Sequence, residues 1–268
     1  MNFSNIFKKK HKKRISTRNY KNKLLSKDSP FAITESFKKL RTNLLFATAG
    51  SECPVIAVTS TFQETGKSII TANLAISFSQ LEKKVLVIDC DLRKPAQHRI
   101  FGIENHSGLS EILAGMSTSD VTVKKLADYQ NFSLITAGKI PPNPAELLAS
   151  ENMSHLLDAL RRNFDLILID LPPVSIVTDA AVIAKIVDGY LFAIRFEHDD
   201  SRALQEAVAS LEQTEGKILG FVVNDVNPKA SGRYYKKYSN KYYKYNRKYY
   251  SYNVYEHNDA EEEEINGN

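Results

Sequence analysis

Short apolar runs alternate with longer amphipathic stretches over most of this chain. Each apolar run is too short for a helix and is apolar at almost every position, as in strands buried on both faces of a sheet. The runs are 55–59, 85–89, 132–136, 166–170, 190–194 and 218–223. The stretches between them with helical spacing are 67–82, 145–162, 178–187 and 201–214. This order predicts an α/β fold, with a parallel sheet, right-handed crossovers and helices on both faces.

Residues before and after this alternation predict three regions. Residues 31–49 carry apolar side chains at helical spacing and precede Gly50, which indicates an amphipathic helix at the start of the domain. Residues 108–115 read as a short helix, and the rest of 97–130 has no assignable pattern. We therefore expect a flexible basic arm at 1–27, a folded domain at 28–228 and a tyrosine-rich tail at 229–268, disordered because it has almost no aliphatic residues.

The net charge of +5 conceals a strong segregation of charge along the chain. Residues 1–27 hold ten basic and no acidic residues, and residues 229–255 hold eight basic and no acidic residues. The central 28–228 holds 18 basic and 25 acidic residues, and 256–268 holds six acidic ones. The sequence therefore predicts an acidic body with charged tails rather than a basic domain.

Cysteine content and hydropathy indicate a cytoplasmic protein. The two cysteines form no disulfide framework, and no cluster of Cys and His has metal-ligand spacing. We find no apolar run of the roughly 18 residues that a transmembrane helix needs. Any contact with a membrane is therefore expected at its cytoplasmic face.

The turn after the first predicted strand has the features of a phosphate-binding loop. It ends in Gly66-Lys67-Ser68 and leads into a predicted helix. In such a loop backbone N–H groups surround phosphate oxygens, Lys67 reaches the β and γ phosphates, and Ser68 holds Mg²⁺. The usual pattern has a glycine where this chain has Thr61, so an ordinary strand-to-helix turn with a solvated lysine remains an alternative.

Two further strands end in carboxylates. Asp89 ends the run at 85–89, Asp91 lies two residues beyond it, and Asp170 ends the run at 166–170. Ligands of open α/β sheets bind beyond the carboxyl ends of the strands, where carboxylates can hold hydrated Mg²⁺ opposite a phosphate loop. Any one of these aspartates could instead cap a following helix. All three acting only as caps is improbable.

These motifs resemble the Walker A, Walker A′ and Walker B motifs of the bacterial tyrosine kinases, cytoplasmic autokinases of capsular and exopolysaccharide synthesis of the Gram-positive type. The resemblance covers about residues 31–255 and includes 134–148 and 170–180. It implies a P-loop NTPase-like fold of the deviant Walker class that also contains ParA and MinD, with ATP and Mg²⁺ as cofactors. It implies protein-tyrosine kinase activity that regulates polysaccharide synthesis and export.

The resemblance also implies roles for individual residues. Lys67, Asp89 and Asp91 would be catalytic, with Asp89 accepting or orienting the tyrosine proton and the roles of the two aspartates exchangeable. Ser68, Asp91 and Asp170 would hold the metal. The nucleotide-binding residues would be Glu64, Thr65, Gly66, Lys67, Ser68 and Ile69.

The phosphate loop departs from the family pattern, which usually has Pro-Gly-x before Gly-Lys-Ser. This chain has Gln63, Glu64 and Thr65 there. Glu64 brings a Cβ and a negative charge toward the polyphosphate, so weaker nucleotide binding is expected. A nucleotide-binding scaffold without kinase activity is therefore one alternative. A partition or positioning ATPase is another, although such proteins carry a lysine where this chain has Phe62 and lack a tyrosine-rich tail.

The predicted N-terminal helix resembles the family's Glu-x-x-Arg-x-x-Arg subunit-contact motif, with Glu35, Lys38 and Arg41. Lys38 keeps the charge of the first arginine without its fork geometry. The same spacing fits a solvated helix face with i, i+3 pairs. The resemblance favours a ring-forming homo-oligomeric interface.

Ten of the 13 tyrosines lie in the tail, interleaved with basic residues: Tyr234, Tyr235, Tyr238, Tyr242, Tyr243, Tyr245, Tyr249, Tyr250, Tyr252 and Tyr255. Such a pattern could bind single-stranded nucleic acid by stacking and phosphate contacts. The resemblance instead makes these tyrosines the autophosphorylation sites, with no specific nucleic acid as partner. Each phosphate adds about −1.5 to −2 charges, so five or more would reverse the positive charge of 229–255 and act as an assembly switch.

The resemblance implies further partners. One is a membrane-bound modulator whose cytoplasmic segment completes the kinase site, and another is a cognate tyrosine phosphatase. The protein would then lie in the cytoplasm, peripheral to the inner face of the membrane through its modulator. The arm at 1–27 could also favour anionic lipids, at about 1 kcal/mol per basic residue near the surface, or be an unstructured solvated terminus.

Overall fold

A seven-stranded sheet forms the centre of the protein in the computed structural model, which describes residues 18–117, 122–196 and 200–226. The strands are β1 Val55–Ser60, β2 Val85–Asp89, β3 Lys124–Lys125, β4 Phe132–Ile135, β5 Leu166–Asp170, β6 Gly189–Arg195 and β7 Ile218–Asn224. Their order is β3-β4-β2-β5-β1-β6-β7. All pairs are parallel except β3 with β4. The predicted α/β fold with a parallel sheet is confirmed.

Helices lie on both faces of the sheet. They are α1 Arg18–Lys21, α2 Phe31–Ala47, α3 Lys67–Ser79, α4 Gln97–Phe101, α5 Leu109–Leu113, α6 Pro144–Leu148, α7 Glu151–Arg161, α8 Asp179–Val182 and α9 Ser201–Glu212, with a 3₁₀ turn at Ala184–Ile186. Alternate residues of β1 enter different cores: Ile56 and Val58 pack with α2 and α3, whereas Val55 and Ala57 pack with α7 and α9. This two-sided burial explains the continuous apolar runs.

Three predicted elements differ from the structure. The helix predicted at 145–162 is two helices, because α6 ends near Ala149 and Ser150 precedes a second start at Glu151. The helix predicted at 178–187 is the short α8 followed by the 3₁₀ turn. β3, an antiparallel strand of two residues, lies in the region that the sequence left unassigned.

The prediction that every strand is buried on both faces is wrong for β7. Phe221 and Val223 are about half exposed, and no residue of β7 is buried. β7 is the last strand in the sheet order, so among the described residues it pairs only with β6. An apolar sequence therefore did not distinguish an edge strand from a central one.

The end of the predicted basic arm is held on the domain. Leu24 and Leu25 are buried in the core next to α3. Asn73 of α3 accepts a hydrogen bond from the Leu25 N–H at 2.7 Å and donates one to the Lys23 carbonyl at 2.8 Å. The arm predicted for 1–27 is thus wrong for its last residues, because two adjacent leucines supply an apolar anchor. Residues 1–17 lie outside the described part of the chain.

The described residues up to Asn224 belong to one compact unit. The ten tail tyrosines lie beyond the described residues. Among the helices of the described ranges, none is long and apolar enough to cross a bilayer.

Candidate active site

The phosphate loop lies between β1 and α3, at the carboxyl edge of the sheet. Gly66 has a left-handed φ of 93° and immediately precedes α3, whose first turn contains Lys67, Ser68 and Ile69. The left-handed conformation favours glycine here, and a Cβ would also lie 2.1 Å from Nδ2 of Asn224, whose side chain would have to shift. The predicted helix start is therefore confirmed.

The residues that replace the usual loop glycines adopt a loop of the same kind. Glu64 is exposed and has a φ of 64°, a left-handed conformation that costs an L-residue about 1–2 kcal/mol. Thr61 and Thr65 are buried, and neither Oγ1 has a hydrogen-bond partner. Buried polar atoms without partners at this turn fit a site that receives a polar ligand.

Strand register brings the three carboxylates together. Asp89 and Asp170 are opposite one another at the ends of the adjacent strands β2 and β5. Asp91 lies two residues beyond the end of β2. All three are buried, with exposures of 0%, 4% and 0% for Asp89, Asp91 and Asp170. The prediction that these side chains share one edge of the sheet agrees with this geometry.

Lys67 is held between two of these carboxylates. Its Nζ donates to Oδ2 of Asp91 at 2.9 Å and lies 3.6 Å from Oδ1 of Asp170. Burial alone would lower the pKa of Lys67, but Asp170 and Asp91 outweigh it and raise the pKa. The lysine is therefore charged and is placed at the loop where phosphates would bind.

Asp170 keeps acceptor capacity for a metal. Ser68 and the Gln97 amide hydrogen-bond its side chain, Gln97 at 2.8 Å to Oδ2, while Oδ1 has no hydrogen-bond partner. Burial raises the pKa of Asp170, and the charge of Lys67 opposes that rise. Carboxylate and hydroxyl oxygens are the ligands that Mg²⁺ prefers, so Ser68, Asp91 and Asp170 fit this ion. The described residues contain no group of three or more His, Cys, Asp or Glu side chains that forms a metal site by itself.

Asp89 has a different environment. Its Oδ2 accepts hydrogen bonds from the backbone N–H groups of Ala96 at 3.0 Å and Gln97 at 2.9 Å, and its Oδ1 has no partner. Burial, followed by the charge of Asp170, raises the pKa of Asp89 to about 8. A carboxyl with such a pKa can exchange a proton near neutral pH. Cys90 beside it is fully buried, and burial raises the pKa of its thiol well above the usual value.

Three contacts of the site were missed by the sequence analysis. Gln97 also donates to the Ser68 carbonyl at 3.0 Å, so it joins β5 to the phosphate loop. Asn224, the last residue of β7, donates to the Thr65 carbonyl at 2.8 Å. Arg93 makes two hydrogen bonds, at 3.0 and 2.9 Å, to the fully buried Asp179. No motif signalled these contacts, because their partners are far apart in sequence.

The predicted subunit-contact residues are on α2, away from the three carboxylates. Lys38 pairs with Glu35 within the helix at 2.8 Å. Arg41 donates to the backbone carbonyl of Ser77 on α3, and burial lowers its pKa. Their role between subunits stays a prediction.

Comparison with known proteins agrees with this geometry. Residues 56–268 match the CobQ/CobB/MinD/ParA nucleotide binding domain. CapB of Staphylococcus aureus, named as a tyrosine-protein kinase, is 37% identical over 206 residues, which are 77% of this chain and 90% of CapB. The chain spans only 28% of Wzc of Salmonella typhi and 29% of Etk of Escherichia coli K12, which are also named as tyrosine-protein kinases.

Two solved structures have the same fold and a related sequence. The kinase domain of the Escherichia coli tyrosine kinase ETK has a TM-score of 0.72 and 35% identity, over 74% of this chain and 78% of that domain. The chimerical protein CapA2B2 has a TM-score of 0.69 and 36% identity, over 74% of this chain and 86% of the chimera. With a phosphate loop, a buried lysine and three strand-end carboxylates in place, the chain belongs to the bacterial tyrosine-protein kinase family, within the CobQ/CobB/MinD/ParA class of nucleotide-binding domains.

Proposed function

We propose that this tyrosine kinase transfers the γ-phosphoryl group of ATP to tyrosines 234–255 of a neighbouring copy and thereby regulates capsular or exopolysaccharide synthesis and export. The observation that carries the proposal is the position of Lys67, charged and held between Asp91 and Asp170 beside the phosphate loop. Phosphoryl transfer depends on charge neutralisation and in-line positioning more than on covalent catalysis. In the proposal, Lys67 and Mg²⁺ would supply the charge neutralisation.

Each residue has a separate task in this proposal. Lys67 would exchange its ion pair with Asp91 for contacts with phosphate oxygens. The Asp91 carboxylate would then be free to bind the metal. Ser68, Asp91 and Asp170 would hold Mg²⁺, and the bound ion would supply charge neutralisation on the phosphates. Backbone N–H groups of Gly66 to Ile69 orient the phosphates at the start of α3.

Asp89 is the proposed acceptor of the tyrosine proton. Its pKa of about 8 suits a base that works near neutral pH, and its Oδ1 has no competing hydrogen bond. Asp91 is the alternative acceptor, because it also lies at the crevice. Measurement of rate against pH in Asp89→Asn and Asp91→Asn distinguishes the two. The wild-type rate should rise with pH as the base loses its proton, and only the variant that lacks the base should lose this rise.

Assembly into a ring brings one copy's tail to the next copy's site. The C-terminal end of α2 supports this part of the proposal, because Phe46 is 79% exposed and its neighbour Leu45 is also exposed. A large exposed apolar side chain is typical of an interaction surface when other exposed apolar side chains lie near it. We expect Phe46→Asp to shift the wild-type oligomer toward monomer in light scattering, whereas an unchanged mass would remove α2 from the interface.

The remaining partners follow from the family. A membrane-bound modulator would complete the site, a phosphatase would reverse the modification, and the protein would lie at the inner face of the membrane through its modulator. An anionic lipid surface is a second contact proposed for the basic residues of 1–27. The name of CapA2B2 as a chimera of two proteins supports a kinase–modulator pair.

Phosphotyrosine mass spectrometry tests the proposed reaction directly. The full chain is incubated with ATP and Mg²⁺, with and without the modulator's cytoplasmic segment. We expect phosphate on tail tyrosines that disappears in Lys67→Met and Ser68→Ala, and persists in Lys84→Met, an exposed control. Ser68→Ala retains Lys67, so it answers the question if Lys67→Met fails to fold. Folded wild type that binds the modulator and acquires no phosphate would indicate a nucleotide-binding scaffold instead.

A further inference from the structure

A basic pocket lies beside the candidate active site and takes no part in the proposed chemistry. Its volume is about 420 Å³, and four of its lining residues have basic side chains: Arg93, Lys94, His98 and Arg99. Pro95 and Ile140 add apolar surface, and none of the described residues that line it is acidic. Small-molecule sites typically have volumes of about 300–1,000 Å³, so the pocket can take a group larger than a simple ion.

The positive charge of this pocket is only partly neutralised by the protein. Asp179 neutralises Arg93, whereas the other two cations hydrogen-bond neutral groups: Lys94 donates to Gln63 Oε1 at 2.9 Å, and Arg99 donates to the Pro95 carbonyl at 2.8 Å. Burial, followed by the charges of Arg99 and Lys124, lowers the pKa of His98. The neighbourhood of His98 is therefore positive, and an anion there would be attracted.

The pocket is built onto the active site through its backbone. The N–H of Lys94 donates to Oδ1 of Asp91 at 2.9 Å, and the N–H groups of Ala96 and Gln97 donate to Asp89. The short segment 94–97, part of which lines the pocket, is thus hydrogen-bonded to the proposed catalytic carboxylates. A second group on the same polypeptide as the reacting tyrosine could therefore enter this neighbouring pocket.

The other lining segments, around Asn105 and Ile140, are held in place before any ligand binds. The Asn105 side chain makes two hydrogen bonds to Gly138: it donates to the carbonyl at 2.8 Å and accepts from the N–H at 3.0 Å. Glu111 accepts the Lys139 N–H at 3.1 Å. Ile140 follows directly, so the apolar side of the pocket is positioned by fixed backbone. Preformed walls reduce the entropy that binding must overcome.

Phosphotyrosine matches both the basic side chains and the apolar surface of the pocket. It joins an aromatic ring, which can lie against the exposed Ile140, to a phosphate of about −1.5 to −2 charges, which Lys94 and Arg99 can neutralise. A glutamate has a negative charge but no ring, so the acidic run Glu261–Glu264 could pair with the basic side chains but not with the apolar surface. Tail tyrosines are one to four residues apart, which spans about 3–14 Å in extended chain.

We propose that the Arg93–Arg99 pocket binds a phosphotyrosine already formed on a tail offered in trans and retains that tail while a nearby tyrosine is phosphorylated. This inference rests on the proposed function, which it deepens: the first phosphate makes the later ones faster. Multiply phosphorylated tails should then accumulate while other tails are still unmodified.

Binding is tested without catalysis. Full-length Lys67→Met, which keeps the tail unphosphorylated, is titrated with a fluorescent peptide of residues 241–252 carrying phosphate on Tyr243. Competitors are the unphosphorylated peptide, a peptide of residues 256–268 and inorganic phosphate. We expect the phosphopeptide to bind at least about 10-fold tighter than each competitor, a difference of about 1.4 kcal/mol.

Matched variants locate that binding. Adding Lys94→Ala and Arg99→Ala together, both at exposed positions, should abolish the preference for the phosphopeptide. Replacing Arg99→Ala by Arg99→Lys in that variant should restore part of the preference. The control pair Arg162→Ala and Lys217→Ala removes the same charge from other exposed positions and should keep the preference. Equal affinity for all peptides, equal competition by 256–268, or a preference that survives Lys94→Ala with Arg99→Ala would overturn the proposal.

A time course separates this inference from the proposed function. Intact mass spectrometry of wild type should show unmodified and multiply phosphorylated chains together, whereas Arg99→Ala should pass first through singly phosphorylated chains. An unchanged distribution in Arg99→Ala would refute retention of the tail. Complete absence of phosphorylation in wild type would refute the kinase reaction itself, and the peptide titration would still decide whether the pocket binds phosphotyrosine.

Discussion

Asp89→Asn should stabilise the nucleotide-free protein at neutral pH, although it removes a proposed catalytic group. Asp89 is fully buried, and its pKa is raised from 3.8 to about 8. Between these values the unfolded chain has released a proton that the folded protein keeps. The free energy of unfolding therefore falls as the pH rises from about 4 toward 8, and it changes little with this group outside that window.

The size of the effect follows from the pKa difference. At pH 7, about three units above the unfolded value, the buried carboxyl costs at most about 4 kcal/mol, since each unit is worth about 1.4 kcal/mol. Asparagine keeps an oxygen for the N–H groups of Ala96 and Gln97 but places an NH₂ where Oδ1 has no partner. An unsatisfied donor costs about 1–3 kcal/mol, which leaves a gain of about 2 kcal/mol.

Thermal unfolding without nucleotide checks this value. A gain of about 2 kcal/mol should raise Tm by about 4–8 °C at pH 7, and the difference should vanish near pH 5. Asp91→Asn is the matched control: it removes the partner of Lys67 at 2.9 Å and should lower Tm. Equal or lower Tm for Asp89→Asn at pH 7 and 8 would refute the reasoning.

Three further changes test other parts of the structure. Glu64→Gly and Glu64→Gln should each tighten Mg-ATP binding about 5-fold in calorimetry, because both remove a negative charge at the phosphate loop, and unchanged affinity in both would contradict this account. Asn224→Ala should raise the KM for ATP several-fold and speed hydrogen exchange in the phosphate loop by removing the bond to the Thr65 carbonyl, with equal exchange counting against that role. Leu25→Ala should cost about 2–5 kcal/mol in denaturant unfolding, and a cost below 1 kcal/mol would show that the segment is not part of the core.

Strands and strand-end carboxylates were predictable because each depends on local sequence. Fully buried parallel strands are continuous apolar runs, so β2 and β5 were predicted at their observed bounds. Asp89 and Asp170 follow directly from those bounds, since parallel strands end at one edge. Contacts of Gln97 and Asn224 were not predictable, because an amide gives no periodic signal and its partner is set by the tertiary fold.

Boundaries between elements were predicted less well for related reasons. The apolar spacing of 145–162 continues through Ala149 and Ser150, so it hides the new helix start at Glu151. β7 has the composition of a central strand, and only the strand order shows that it pairs on one side. Leu24 and Leu25 are too few to indicate a core segment within a basic stretch, yet one amide, Asn73, holds them.

Lys67 has consequences for how nucleotide affinity should respond to salt. The lysine already holds an ion pair with Asp91 that is almost out of contact with solvent, so phosphate binding exchanges one buried ion pair for another. Buried pairs are screened far less than exposed ones. The contribution of Lys67 to ATP affinity should therefore depend weakly on ionic strength, whereas interactions of the basic termini should weaken strongly as salt is added. Salt thus offers a way to separate nucleotide binding from tail and membrane contacts in the same protein.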